Sequence, residues 1–196
     1  MTTSILLVGV GGQGTILISK ILTAGLVKLG FDVKMSEIHG MSQRGGSVTT
    51  QIKYSDKVYA PNIGEGEADV IIAFEKAESL RALPFLKKGG TMILDEREIY
   101  PMPVLTGVAE YPHNAIDALK AACPNITVIK AAQTAEELGN IRAQNIVLLG
   151  ALTKVLGLDG VDWKELVAEY VPPKAKELNL KAYDAGQALQ AQKTNA

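Results

Sequence analysis

The sequence predicts a three-layer α/β/α fold on three observations. Short apolar runs at 4–8, 69–74, 91–95 and 126–130 read as strands buried on both faces, as in a parallel sheet. Helix-period segments alternate with them, which calls for crossover helices on both sides of the sheet. The third observation is the turn Gly9-Val10-Gly11-Gly12-Gln13-Gly14, set between the first run and the first helix. In that strand–loop–helix context, backbone N–H groups and a helix N-terminus cradle an anion, so the sheet is expected to be Rossmann-like.

Each element follows in order. Ser4-Ile5-Leu6-Leu7-Val8 is the first strand. Residues 15–29 place Ile16, Leu17, Ile21, Leu22, Leu26 and Leu29 near helical spacing, with Gly30 as the stop. Residues 31–37 form a second strand. Val48, Thr50, Ile52 and Tyr54 then alternate with polar neighbours, predicting a half-exposed strand. Only a loop separates it from the second strand, too little chain for a crossover helix. It therefore pairs antiparallel, making the mostly parallel sheet a mixed one with one antiparallel strand. Residues 69–74 are a strand and 75–86 a helix, ended by Lys87-Lys88-Gly89-Gly90: cations at the negative helix end, then glycines for the left-handed stop. Residues 91–95 are a strand. The stretch 100–107, with Pro101 and Pro103, is irregular or edge-like. Residues 114–122 are helical, 126–130 a strand, 135–156 one or two helices, and 162–170 an amphipathic helix. A last helical segment runs from Pro172-Pro173 to about residue 192. Its weak apolar periodicity (Ala175, Leu178, Ala182, Ala185, Leu189) reads equally as a surface helix or as an arm docking on a partner. With no repeat or linker, residues 1–196 read as a single domain carrying a C-terminal helical arm at about 172–196.

Composition excludes several functions. The 196 residues suffice for one α/β domain with a core and fall short of two. A net charge of −1 provides no basic face for nucleic acid. No apolar run approaches the roughly 20 residues that span a bilayer, so no membrane partner is expected. The chain enters a strand without a basic segment and cleavage site, so a cytoplasmic protein is expected. Cys123 is the single cysteine, which rules out an internal disulfide and an iron–sulfur cluster needing about four thiolates. It reads as a small buried residue. His39 and His113 are the only histidines; neither has a second ligand at metal spacing, so no metal site is expected.

The chemistry concentrates in two glycine-rich motifs. In the first, Gly9 is expected to end the strand in a tight turn, Gly11 to let backbone approach a phosphate, and Gly14 to allow close helix–strand packing. A tight turn without a ligand is the other reading. The second motif is Glu37-Ile38-His39-Gly40-Met41-Ser42-Gln43-Arg44-Gly45-Gly46-Ser47. Arg44 is a five-donor fork suited to phosphate or carboxylate, and Gly40, Gly45 and Gly46 open backbone angles closed to other residues. Met41 reads as an apolar contact. Both motifs fall at the carboxyl edge of the sheet, where α/β folds bind ligands. The expected ligand- or phosphate-binding set is Gly9, Gly11, Gly12, Gln13, Gly14, Ser42, Gln43, Arg44 and Gly45, with Glu37 and His39 as additional members. Glu37 stands where a Rossmann unit holds a ribose, which keeps a stand-alone nicotinamide oxidoreductase open. Glu75 reads as a first-turn helix acid or as a group facing the same cleft. No residue of the chain is identified as catalytic.

Taken together, the two motifs resemble the gamma domain of the 2-oxoacid:ferredoxin oxidoreductases. Ala68-Asp69-Val70-Ile71, Phe74-Glu75, Leu86-Lys87-Lys88-Gly89-Gly90, and Gly139-Asn140 ahead of Asn145-Ile146-Val147-Leu148-Leu149-Gly150-Ala151 extend the resemblance over residues 5 to about 170. A free-standing chain of this size is similar to the small subunits of the family's indolepyruvate branch, with pyruvate, 2-oxoisovalerate and 2-oxoglutarate enzymes as alternatives. The resemblance implies an oxygen-sensitive enzyme converting an aryl 2-oxoacid, coenzyme A and oxidised ferredoxin into an aryl-acyl-CoA, carbon dioxide and reduced ferredoxin. It implies that thiamine diphosphate and [4Fe-4S] clusters belong to a large alpha subunit, and that ferredoxin is met through the complex. This chain would contact coenzyme A and be inactive alone. Gly11, Gly12, Gln13 and Gly14 would lie near a phosphate, with Ser42, Gln43, Arg44 and Gly45 at the entrance.

Overall fold

The computed structural model describes residues 2–40 and 45–194, with side chains to residue 190. β1 (Thr3–Val10), β2 (Asp32–His39), β3 (Ser47–Ser55), β4 (Ala68–Ala73), β5 (Leu86–Asp95) and β6 (Ile126–Ile129) form one sheet in the order β2-β3-β1-β4-β5-β6. β3 runs antiparallel to both β2 and β1, and the remaining neighbours pair parallel. The mixed sheet with one antiparallel strand is thus as expected, but the exposure of β3 is not. It lies between two strands rather than at an edge, and Thr50 and Ile52 are fully buried.

Period-2 alternation splits β1 between two cores. Ile5 and Leu7 face a cluster with Ile18, Ile21 and Leu22 of α1 (Thr15–Lys28), together with α5 (Ala131–Glu137), α6 (Gln144–Leu156), α7 (Trp163–Tyr170) and α8 (Lys176–Thr194). Leu6 and Val8 face a smaller cluster with Ala82 of α2 (Lys76–Ala82), Leu119 of α4 (Ala115–Ala122) and the buried Cys123. These are the two outer layers of the three-layer fold. α3 (Met102–Leu105) is a single exposed turn after β5. The segment after Pro172 folds back onto its own chain. At the α6–α8 crossing, a Cβ on Gly186 would stand 2.0 Å from the Val147 carbonyl oxygen, so only glycine permits the approach.

The helix expected over 75–86 ends earlier. α2 stops at Ala82 and Leu83–Phe85 is a 3-10 turn, because Pro84 lacks the N–H that would continue the helix. Lys87-Lys88-Gly89-Gly90 is not a helix stop but part of β5. Ala68 pairs with Leu86 while Val70 pairs with Thr91, so the intervening residues bulge out of the ladder, with Gly89 at φ +81°. Lys87 Nζ lies 2.8 Å from Asp69 Oδ1. Among the described residues no helix is long and apolar enough to cross a membrane.

From β1 the chain crosses by α1 to β2 on one side of the sheet, while β4 lies on the other side of β1. The carboxyl end of β1 is therefore a topological switch point, the place where open α/β sheets leave a crevice.

Candidate functional site

The two glycine motifs meet at that crevice. Gly9 pairs with Val48 and Val10 with Ser47 at the end of the β1–β3 ladder. The bonding then continues into the loops: Gly11 N–H donates to the Gly46 carbonyl at 2.8 Å, and Gly45 N–H donates to the Gly11 carbonyl at 3.3 Å. Gly45 holds φ +76° to do so. Gly11 is thus committed to bridging the motifs through both backbone groups.

The glycine loop is built from inside by Gln13, only 9% exposed. Its Oε1 accepts from Val10 N–H at 2.7 Å and its Nε2 donates to the Phe74 carbonyl at 2.8 Å, tying the loop to the end of β4. Gly9 does not end the strand, as β1 continues to Val10. A Cβ on Gly9 would meet Phe74 Cβ at 2.9 Å, so close approach to the chain after β4 is what it allows. Gly14 caps α1 at φ +81°, and its missing Cβ makes room for Asn145 of α6 rather than for a strand. Asn145 Nδ2 donates to the Gly14 carbonyl at 3.3 Å.

What the loop presents outward is backbone. α1 begins without a side-chain cap and with no acid in its first turn. Among the described residues the N–H groups of Gly12, Gly14, Thr15 and Ile16 have no hydrogen-bond partner. Together with the positive end of the helix dipole they form an anion-binding terminus.

Two cavities flank this terminus. One, of about 330 Å³, is lined by Gly11, Gly12, Gly14, Ile16, Glu37 and His39. Glu37 accepts from Ser19 Oγ at 3.3 Å, and the exposed His39 has Nδ1 3.1 Å from the Gly40 carbonyl. The structure therefore brings Glu37 and His39 to the glycine loop, but with β3 inserted Glu37 sits two strands, about 10 Å, from β1 rather than one. The other cavity, of about 350 Å³, lies at the switch point between Gly12, Gly45, Arg97, Ile99, Arg142 and Gln144. Ser42, Gln43 and Arg44, with Met41, lie outside the described residues.

The second cavity holds residues the sequence reading missed. Gln144 donates through Nε2 to the Phe74 carbonyl at 2.8 Å and to Asp95 Oδ2 at 2.7 Å, and accepts from Arg97 Nη1 at 2.6 Å. Gln13 and Gln144 thus converge on one carbonyl. Asp95 is 1% exposed, and burial pushes its carboxyl up to about 7 against hydrogen bonds and the Arg97 charge, which act in the opposite sense. A polar residue closing the apolar run Thr91-Met92-Ile93-Leu94-Asp95, at the carboxyl end of a strand, was the available signal. Glu75 is structural: it caps α2 by accepting from Glu78 N–H at 2.9 Å, and its other oxygen accepts from Ile99 N–H at 3.1 Å and from the Tyr111 hydroxyl.

The profile of the pyruvate ferredoxin/flavodoxin oxidoreductase family matches residues 4–189. The chain is similar to indolepyruvate oxidoreductase subunit IorB of Pyrococcus horikoshii, 40% identical over 190 residues and covering 93% of each chain. It is also similar to the IorB subunit of Archaeoglobus fulgidus, 40% identical over 192 residues, covering 95% of this chain and 94% of that one. Among solved structures, a keto/oxoacid ferredoxin oxidoreductase gamma subunit from Geobacter sulfurreducens superposes with TM-score 0.71 at 25% identity, covering 97% and 99%. The 2-oxoglutarate:ferredoxin oxidoreductase of Magnetococcus marinus, solved with 2-oxoglutarate, coenzyme A and succinyl-CoA bound, shares the fold with TM-score 0.74 at 23% identity, over 97% of this chain and 31% of that one. The chain therefore belongs to the pyruvate ferredoxin/flavodoxin oxidoreductase family.

Proposed function

We propose that this chain is the small subunit of an indolepyruvate or arylpyruvate:ferredoxin oxidoreductase, working as one gamma-type domain in the cytoplasm beside a large alpha subunit. The observation that carries the reading is the uncapped N-terminus of α1, held by the Gly11–Gly45–Gly46 backbone bridge between two cavities. The 40% identity to IorB subunits over nearly the whole chain supports the choice of substrate class.

The residues present suit anion binding and do not suit a redox centre. One cysteine, 2% exposed, offers one thiolate where an iron–sulfur cluster needs about four. Among the described residues no group of three or more His, Cys, Asp or Glu stands together to hold a metal. As the family resemblance implies, thiamine diphosphate and [4Fe-4S] clusters would be held by the alpha subunit, where the thiamine would supply the carbon chemistry and ferredoxin would be reduced.

This chain's part is positioning and charge stabilisation. The N–H groups of Gly12, Gly14, Thr15 and Ile16, without a partner among the described residues, take a phosphate of coenzyme A. By the family resemblance, Ser42, Gln43, Arg44 and Gly45 would line the entrance, with Arg44 as the charged group offered to the anion. Gln13 acts indirectly, by holding the loop open from within.

The test is anaerobic affinity purification from the source cells, then assay with indolepyruvate, coenzyme A and a ferredoxin surrogate. A co-purifying large chain with iron–sulfur absorbance and activity is the expected result. Ile16→Glu, which sets a carboxylate beside the helix terminus at a 46% exposed position, is expected to raise the KM for coenzyme A about tenfold. Arg44→Ala is expected to act in the same direction. A colourless chain that purifies alone and binds NADH would overturn the subunit reading in favour of a nicotinamide oxidoreductase, for which Glu37 in the glycine-loop cavity is the supporting feature.

A further inference from the structure

β3 has a second face. While Val48 lines the glycine-loop cavity, Ser47 and Thr49 turn to the α2 side of the sheet, where they border a separate hollow of about 160 Å³. Its apolar surface comes from Leu6 and Val8 of β1, Ala82, Phe85 and the 54% exposed Ile38. Two charged groups complete it. Glu78 is 7% exposed, with Oε2 accepting from Ser47 Oγ at 2.5 Å and Oε1 lying 3.1 Å from Arg81 Nη1. Arg81 keeps 64% of its side chain exposed, and among the described residues Glu78 is its only ion-pair partner.

A cavity of about 150 Å³ with aliphatic and aromatic walls is large enough for benzene. This hollow therefore has room for one aromatic ring, and its half-open side leaves space for a fused second ring or a short substituent. The Arg81 guanidinium presents further donors for a carboxylate carried on that substituent. Inside, the Glu78 carboxylate is an acceptor for a ring N–H. Burial also disfavours its charged form and raises its pKa, so a donor placed against it offsets a desolvation cost the fold already bears.

We infer that this hollow is a binding site for a small aryl carboxylic acid, with the ring against Leu6, Val8 and Phe85, the carboxylate on Arg81, and Glu78 favouring rings that carry an N–H. The site is distinct from the glycine-loop crevice, on the opposite face of β1 and β3. Its ligand class matches the aryl 2-oxoacids of the proposed reaction, but the inference is read on the chain by itself and does not need the partner.

The experiment is a nuclear magnetic resonance titration of the full chain with indole-3-propionate, a stable aryl acid. Saturable shifts at Leu6, Val8 and Phe85 are expected, with a Kd of about 1 mM or tighter for a probe of that size. Arg81→Leu, at an exposed position, is expected to weaken binding of the acid about tenfold more than binding of uncharged indole. Thr49→Phe, which fills the hollow from the strand surface, is expected to abolish both. No shift at these residues up to about 10 mM probe would overturn the inference, as would binding indifferent to both substitutions. Purification without a large partner would overturn the subunit reading and leave this titration unaffected.

Discussion

In the part of the sheet made by β1, β4, β5 and β6, side chains on both faces enter one or other of the two cores. In the β2–β3 ribbon, one face does so, while on the other Gln51 is buried, accepting from Ile63 N–H at 2.7 Å. Val33, Ile52 and Tyr54 pack toward α1, while the other face carries Lys34, Thr49, Lys53 and the exposed Ile38. The reason is topological. Parallel neighbours need crossover segments, and those segments cover the sheet; an antiparallel pair needs only a loop, which covers little of it. The ribbon is thus where the sheet remains accessible, and both the glycine-loop cavity and the aryl-sized hollow border it.

The largest effect should separate the two regions directly. Leu7→Ala, at a fully buried β1 position, is expected to cost about 3–5 kcal/mol in urea unfolding, whereas Ile38→Ala on the ribbon should stay within about 0.5 kcal/mol. Comparable losses at the two sites would mean the ribbon face is as covered as the rest.

Asp95 provides a pH-dependent contrast. Its carboxyl is pushed from 3.8 to about 7 in the folded protein, chiefly by burial. The folded chain therefore keeps a proton that the unfolded chain has released between about pH 4 and pH 7, and stability falls as pH rises through that window. Asp95→Asn should remove this slope, so that variant and parent diverge by at most about 4 kcal/mol by about pH 7.5. Parallel stability curves would show that Asp95 is ionised at little cost.

A smaller effect is expected at the seam. Gln13→Ala removes an acceptor from Val10 N–H and a donor from the Phe74 carbonyl, which keeps its bond from Gln144. A loss of about 1–3 kcal/mol in chemical unfolding is expected. Faster hydrogen exchange at Val10 than at Leu7 would localise that loss to the loop; uniform exchange would assign it to the sheet as a whole.

Much of the fold was legible because its signals are local. Apolar runs marked four of the parallel strands, and the shortness of the 40–46 connection required an antiparallel β3. Gly30 marked the end of α1, where it holds φ +90°. The misreading at Lys87-Lys88-Gly89-Gly90 shows the limit of such signals. Cations followed by left-handed glycine suit a helix end and a strand bulge equally, and the ladder with β4, Ala68 to Leu86 and Val70 to Thr91, decides between them. Of the site, the glycine loop and Glu37 were visible as motif residues. Arg97, Arg142, Gln144 and Asp95 were not, since each is an ordinary polar residue until the fold brings it to the switch point.

By itself, then, the sequence determined the alternation of strands and helices, the lack of thiolates for a cluster, and two glycine motifs whose combination carries the family resemblance. These depend on composition and on backbone preferences that a few neighbouring residues set. Only the tertiary structure decided that β3 lies between β2 and β1, that Gly11 bonds to Gly45 and Gly46, that Gln13 turns inward to Phe74, and that Glu78 meets Arg81 in a ring-sized hollow. Most of these contacts join residues more than 30 positions apart, and even the neighbouring Glu78 and Arg81 gain their apolar surroundings from β1. Their energies depend on which strands become neighbours, and that is settled by burying all the apolar faces at once.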